Sequence, residues 1–364
     1  MNNCKNILEN NHTPKEKSDL SMKKVVIKKS SYKKIVIRIL AIILAVVLLT
    51  LAGFWFYCRV INRRSFMAGV VDLSLTLEHR KDKFEYLDVC NDYIAEKAET
   101  NKEPVVIENA KFGISLREER LDALQAFIYN DQEHPAQTVF YFHGGGYINQ
   151  PNELQTTMAA RTAKETGCEV VLMVYPKLPV YDCLTCYKLC IEYYENYLKA
   201  NDCGKIVFMG DSAGGGLALG LAEVLRDQGE VCPEELILIS PGADMTVTNS
   251  EIPNYVDKDP MLGIDGIRRL GEVWANGLDT KDPRVSPIYG DLSGLGRVTL
   301  TAGTWEILYP DIMLLAEKLE EAGVDCHLIV GERMIHCYPI CPIPEAKPVQ
   351  KEIFASIVRT ENDK

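Results

Sequence analysis

KIVFMGDSAGGGLALGLAEVL, Lys205 to Leu225, is the stretch on which the fold turns. It opens on an apolar run, Ile206–Met209, and closes on a segment of helical pattern that begins at Ala213. Between them stands Gly210-Asp211-Ser212-Ala213-Gly214, a G-x-S-x-G sequence. A serine at a sharp strand-to-helix turn has strained dihedrals, so its neighbours two residues away must be glycine to avoid collisions. The same turn points Oγ out of the sheet and sets the helix amino terminus, with its unpaired N–H groups, beneath a developing negative charge. A plain Gly-Ser-Gly turn ahead of a helix would need neither the additional glycines nor the apolar strand before them. The pattern predicts that Ser212 is a nucleophile.

An attacked carbonyl becomes an oxyanion that at least two preorganised donors must meet. One is the backbone N–H of Ala213, next to the serine. The other donors must come from a loop at the carboxyl end of a neighbouring strand, with no side chains in the way. FHGGGYINQ, Phe142 to Gln150, follows the apolar run Thr138–Phe142 and offers the amides of Gly144 and Gly145, with Gly146 completing the turn. A phosphate-binding loop would want Lys-Ser/Thr after its glycines, and Tyr147-Ile148 denies it. His143 reads as an anchor for this loop.

Outward from these two stretches the chain alternates. Val105–Leu116 and Leu121–Tyr129 read as strands joined by a polar turn around Arg117–Arg120. Short β-branched runs follow at Thr138–Phe142, Glu169–Val174, Lys205–Met209, Leu236–Ile239, Val298–Thr301 and Cys326–Val330. Amphipathic stretches separate them: Glu153–Glu165, Leu184–Ala200, Ala213–Gln228, Ile264–Asn276 and Tyr309–Ala322, with Glu345–Arg359 last. Strands separated by helices predict an α/β fold, an eight-stranded, mostly parallel sheet with helices on both faces. Residues 58–103 show helical periodicity at Phe66–Leu77 and Phe84–Ala98 and no strand signal, which fits a stalk or a small helical cap.

HGGGY with GDSAGGG resembles the hormone-sensitive-lipase-like branch of the α/β-hydrolase fold, carboxylic ester hydrolases of broad range. The resemblance spans roughly residues 105–358 and includes Tyr175-Pro-Lys-Leu-Pro179, Ser240-Pro241-Gly-Ala-Asp244 and Asp282-Pro283-Arg-Val-Ser286-Pro287, in the family's order. It implies a triad in the order serine, acid, histidine. His336, in GERMIHCYP after the run Cys326–Val330, stands in the loop where the family carries its base. Of the other histidines, His12 lies in the basic tail, His79 and His134 precede the working end of the sheet, and His327 falls inside a strand as a packed residue. For the acid, the family pattern Gly-x-x-Asp is here Gly303-Thr-Trp-Glu306, which favours Glu306 on spacing. Asp311 is the competing carboxylate, with a plainer reading as an acid at a helix amino terminus. The reaction implied is acyl transfer from an ester to water, with no metal or organic cofactor. A binding protein that kept the fold without the chemistry, and an amide or peptide hydrolase, are the alternatives.

The amino-terminal part is of another kind. Residues 1–38 carry ten Lys/Arg against three Asp/Glu, whereas the 364-residue chain as a whole has a net charge of −11. The acidic body has no electrostatic reason to bind nucleic acid. Ile39–Tyr57 is free of charge over nineteen residues, which as a helix spans roughly 28 Å, close to the bilayer's hydrocarbon core. Phe54 to Tyr57 cluster aromatic rings at its end, where they suit a membrane–water boundary. A cleaved signal peptide is the rival, with Thr50-Leu51-Ala52 as a small-x-small site, but cleavage there would leave FWFY near a free terminus. Seven Lys/Arg lie just upstream of the span against Arg59, Arg63 and Arg64 downstream, so the amino terminus is expected in the cytoplasm and the body beyond the membrane. The expected organisation is a basic tail (1–38), a transmembrane helix (39–57), a helical linker or cap (58–103) and a catalytic domain (104–364), acting on a small or lipid-like ester. Cys183, Cys186 and Cys190 at helical spacing read as small buried hydrophobes, and disulfide pairing among the twelve cysteines stays open.

Overall fold

A computed structural model describes residues 15–107 and 111–359. The first fourteen residues of the basic tail, with Cys4 and His12, lie outside the described residues. The chain divides into two compact units, one ending at Arg63 and one beginning at Arg64.

The first unit holds one long helix, α1 (Lys15–Phe56), with helical turns continuing through Tyr57–Ile61. Within it Ser31–Ile61 is long and apolar enough to cross a membrane, and a signal sequence near an amino terminus has the same character.

The second unit opens on three short helices, α2 (Phe66–Leu77), α3 (Asp82–Glu85) and α4 (Leu87–Thr100). Ser65 starts α2 by accepting the Ala68 N–H, and its hydroxyl donates to Glu345 at 2.8 Å. The helix expected over Phe84–Ala98 is broken at Tyr86, whose extended backbone (φ −107°, ψ 123°) separates α3 from α4. Asn101, at the end of α4, donates to the carbonyls of Ile148 and Leu178, both at 2.6 Å. These helices are thereby fastened to the glycine-rich loop of the body.

The sheet comprises β1 (Leu116–Leu121), β2 (Leu124–Tyr129), β3 (Gln137–Phe142), β4 (Glu169–Val174), β5 (Lys205–Asp211), β6 (Glu235–Ile239), β7 (Arg297–Gly303) and β8 (Cys326–Gly331). Their spatial order is β1-β2-β4-β3-β5-β6-β7-β8, parallel from β4 to β8 and antiparallel at β1 and β2. The first strand differs from the sequence expectation. Residues 117–120, expected as a turn, form the middle of β1, and the turn is Asp122-Ala123, with Asp122 in the left-handed region at φ 49°. An edge strand pairs on one side only, so it tolerates a run of charges that a central strand would not.

The helices α5 (Glu153–Thr166), α6 (Cys183–Ala200), α7 (Ala213–Gln228), α8 (Ile264–Ala275), α9 (Tyr309–Glu321) and α10 (Ala346–Val358) cover both faces. The period of two sorts β3 accordingly: Val139 and Tyr141 pack with Met158 of α5 and Ile353 of α10, while Phe140 and Phe142 pack with Leu217 of α7 and Tyr187 of α6. Cys183, Cys186 and Cys190 are buried on α6 as free thiols. His327, expected to be packed, is instead half-exposed with its Nε2 3.1 Å from Glu352 Oε2, because β8 is the other edge of the sheet.

Candidate active site

Ser212 sits between β5 and α7 at φ 54° and ψ −125°, a conformation strained for a residue with a Cβ. The flanking glycines explain themselves sterically. A Cβ on Gly214 would stand 2.0 Å from the Phe142 carbonyl oxygen, and one on Gly210 would stand 2.3 Å from that of Gly214. The loop after β3 and the start of α7 therefore approach backbone to backbone, which brings the glycine-rich loop beside the serine.

Three side chains from three loops meet there. His336 Nε2 lies 2.8 Å from Ser212 Oγ, and His336 Nδ1 lies 2.5 Å from Glu306 Oε2. The other carboxylate oxygen of Glu306 accepts the Gly303 N–H at 2.6 Å and the Ser240 hydroxyl at 2.9 Å. Glu306 is fully buried and His336 nearly so. Burial pulls the imidazole towards its neutral form, but the hydrogen bond and charge of Glu306, with the charges of Asp259 and Asp211, outweigh it and raise its pKa above the ordinary 6.5. Asp311 stands in the first turn of α9, where its Oδ1 accepts from Asn249 at 2.9 Å and burial pushes its carboxyl up to about 7.

The glycine loop is held by Asp211. Its Oδ1 accepts the Tyr141 hydroxyl at 2.7 Å and the Gly144 N–H at 3.0 Å, and its Oδ2 accepts from Gln155 at 2.8 Å. The Gly144 amide, read from sequence as an oxyanion donor, is engaged by Asp211, and a Cβ at Gly144 would stand 2.4 Å from that carboxylate. The amides of Gly145, Gly146 and Ala213 have no acceptor among the described residues. Burial raises the Asp211 carboxyl above its ordinary range while its three donors oppose that shift. His143 is buried beneath the loop, stacked on Tyr175 at 4.6 Å between ring centroids, with Nδ1 2.7 Å from the Gly144 carbonyl oxygen. Burial and the neighbouring Lys177 keep its pKa well below 6.5, so it is a neutral support for the loop.

A cavity of about 310 Å³ opens beside Ser212 and His336. Its wall is mostly apolar and includes Val71 and Leu75 of α2, Phe84 of α3, and Met261, Leu262 and Leu308. Among the described residues, no cluster of three or more His, Cys, Asp or Glu is arranged to hold a metal ion.

Several neighbours of the site escaped the sequence reading. Ser240 belongs to a motif that sequence did single out, and Gln155 is signalled by its place three residues after Asn152 in a reciprocal cap of α5. Cys337, whose Sγ lies 3.4 Å from His336 Nε2, follows the histidine directly. Asp259 takes the amides of Met261 and Leu262 nearby, but its third partner, the Ile307 N–H, lies in a segment remote in the chain and has no local signal.

The model of a family described as alpha/beta hydrolase fold matches residues 139–340. An esterase of Acinetobacter venetianus is 30% identical over 251 residues, covering 66% of this chain and 80% of the relative. An acetyl-hydrolase of Streptomyces hygroscopicus is 27% identical over 217 residues, 57% of this chain and 71% of the relative. The solved structure of a hormone-sensitive-lipase homologue, EstE7, from a metagenome library superposes with a TM-score of 0.67 at 26% identity, covering 80% of this chain and 97% of that one.

Proposed function

This chain belongs to the alpha/beta hydrolase fold family, in its hormone-sensitive-lipase-like carboxylesterase branch, and from that premise we propose that it is a membrane-anchored serine hydrolase of carboxylic esters. The observation that carries the reading is the unbroken contact from Ser212 Oγ to His336 Nε2 at 2.8 Å and from His336 Nδ1 to Glu306 at 2.5 Å, beside an apolar cavity.

In this reading Ser212 Oγ attacks the ester carbonyl as His336 takes its proton, and Glu306 fixes the tautomer and stabilises the imidazolium. The tetrahedral oxyanion is met by the amides of Ala213, Gly145 and Gly146, each donor lowering the barrier by about 3 kcal/mol. Gly144 serves by its lack of a side chain rather than by its N–H, which Asp211 holds. His336 then protonates the departing alcohol, and water enters to split the acyl-enzyme by the same route in reverse. The apolar wall suits an aliphatic acyl group, and the helices of residues 64–103 act as a cap that completes that wall through Val71, Leu75 and Phe84. The helix Ser31–Ile61 anchors the enzyme, with its lysine-rich end in the cytoplasm and the catalytic unit beyond the membrane.

Detergent-solubilised full-length chain is expected to hydrolyse chromogenic esters in a series from acetyl to decanoyl. Ser212→Ala is expected to reduce turnover by a factor on the order of 10⁴ or more. Equal rates for the two proteins across the series would sink the proposal and favour a binding role.

A further inference from the structure

Asp259 is buried at 2% exposure on the segment between β6 and α8, and among the described residues no cation, hydroxyl or amide side chain is bonded to it. Its partners are backbone amides from two places. Oδ1 accepts the N–H groups of Met261 at 2.8 Å and Leu262 at 3.0 Å. Oδ2 accepts the N–H of Ile307 at 2.9 Å. Met261 and Leu262 form part of the cavity wall, and Ile307 directly follows Glu306. One carboxylate thus joins the wall against which a substrate lies to the turn that carries the acid.

We propose that Asp259 is a positioning residue of the hydrolytic site, which locks the Glu306 turn to the cavity wall and places a second negative charge behind the imidazole. The proposal rests on the reading of His336 as the base. A carboxylate buried with amide donors alone is a costly arrangement, since desolvation of a charge is only partly recovered by neutral donors. Burial accordingly pushes the Asp259 carboxyl up to about 6, opposed by the charge of His336 and by the three amides. The reciprocal effect appears at His336, which Glu306, Asp259 and Asp211 together raise against its own burial. The titratable groups that face the imidazole are these three acids and the Cys337 thiol, which burial keeps protonated. Asp211 is held by Tyr141, Gly144 and Gln155, and Glu306 by Ser240 and Gly303. Asp259 is therefore the acid whose removal alters the charge behind His336 without cutting the contact to Ser212 or Glu306.

The direction of the effect follows. Deleting a negative charge disfavours imidazolium, so the base stays neutral to lower pH. The pH dependence of kcat/KM, measured on the full chain in detergent, is expected to shift its acid limb to lower pH in Asp259→Asn. A loss of roughly tenfold in kcat is expected beside it from the loosened Glu306 turn. A profile for Asp259→Asn that superposes on the parent, or one lowered uniformly with its acid limb unmoved, overturns the proposal. If Asp259→Asn does not fold, Asp259→Glu carries the test: its limb should stay in place, because the charge remains, while kcat falls because the amide contacts are displaced. An unaltered kcat in Asp259→Glu, or a moved limb, overturns the proposal equally. Ser212→Ala run in parallel separates the two levels, since activity surviving in that variant removes the hydrolase reading itself, whatever Asp259 does.

Discussion

Glutamate at position 306 is one methylene longer than the aspartate usual in such a turn, and the turn accommodates it by holding Oε1 with Gly303 and Ser240 while Oε2 reaches His336. Glu306→Gln keeps the length but offers the imidazole an amide, so a wrong tautomer is favoured. Its kcat on a short-chain ester is expected to fall by a factor on the order of 10²–10⁴ with KM little changed. Turnover within twofold of the parent would reassign the acid. In the proposed mechanism the raised pKa of His336 sets the pH dependence: a base must be neutral, so kcat/KM is expected to be full well above 6.5 and to fall about tenfold per unit once pH drops below the elevated value. A bell or plateau extending unchanged below pH 6 would contradict it.

At the scale of an element, α7 shows how a site constrains its helix. Among its first residues, Gly214 lies against the Phe142 and His143 carbonyls after β3, and Gly215 and Gly216 lie against Pro241 and Gly242 after β6; farther along, Glu223 is buried at 3% exposure with its Oε1 lacking a hydrogen-bond partner among the described residues. Burial pushes this carboxyl up to about 9. The folded state then keeps a proton that the unfolded chain releases near 4.5, so the contribution of Glu223 to stability is fully present below about 4.5 and is lost as pH rises towards 9. Glu223→Gln removes that ionisation. Its Tm by scanning calorimetry is expected to exceed the parent's at pH 8 by about 2 °C or more, with the gain shrinking towards pH 5. A gain that is constant with pH, or largest at pH 5, would show that Glu223 does not titrate in this way.

At the scale of the whole molecule, the body from Arg64 onward has its own sheet, its two apolar layers and every residue of the proposed site. A chain starting at residue 62 is expected to remain folded and to keep the parent's kcat on a water-soluble ester within about twofold, while losing its sedimentation with membranes. Loss of turnover with retained Tm would assign the amino-terminal helix a part in the site. In intact cells the catalytic body is expected to be cut by added protease before lysis; protection until lysis would reverse the proposed orientation.

The sequence by itself determined the alternation of strands and helices, the serine turn, the glycine loop and the apolar amino-terminal helix. Each of these is written in neighbours: a period of two or 3.6, a glycine two residues from a serine, a run without charge. It also pointed to Glu306 and His336, because family spacing locates a loop even where the residue type departs. Contacts between distant segments needed the fold. Only the tertiary structure brought Asp211 to the Gly144 amide, exposed His327 on an edge strand, and joined Asp259 to Ile307 across 48 positions of chain. Hydrogen bonds and burial depend on which surfaces meet, and meeting is a property of the packed sheet that no local pattern carries.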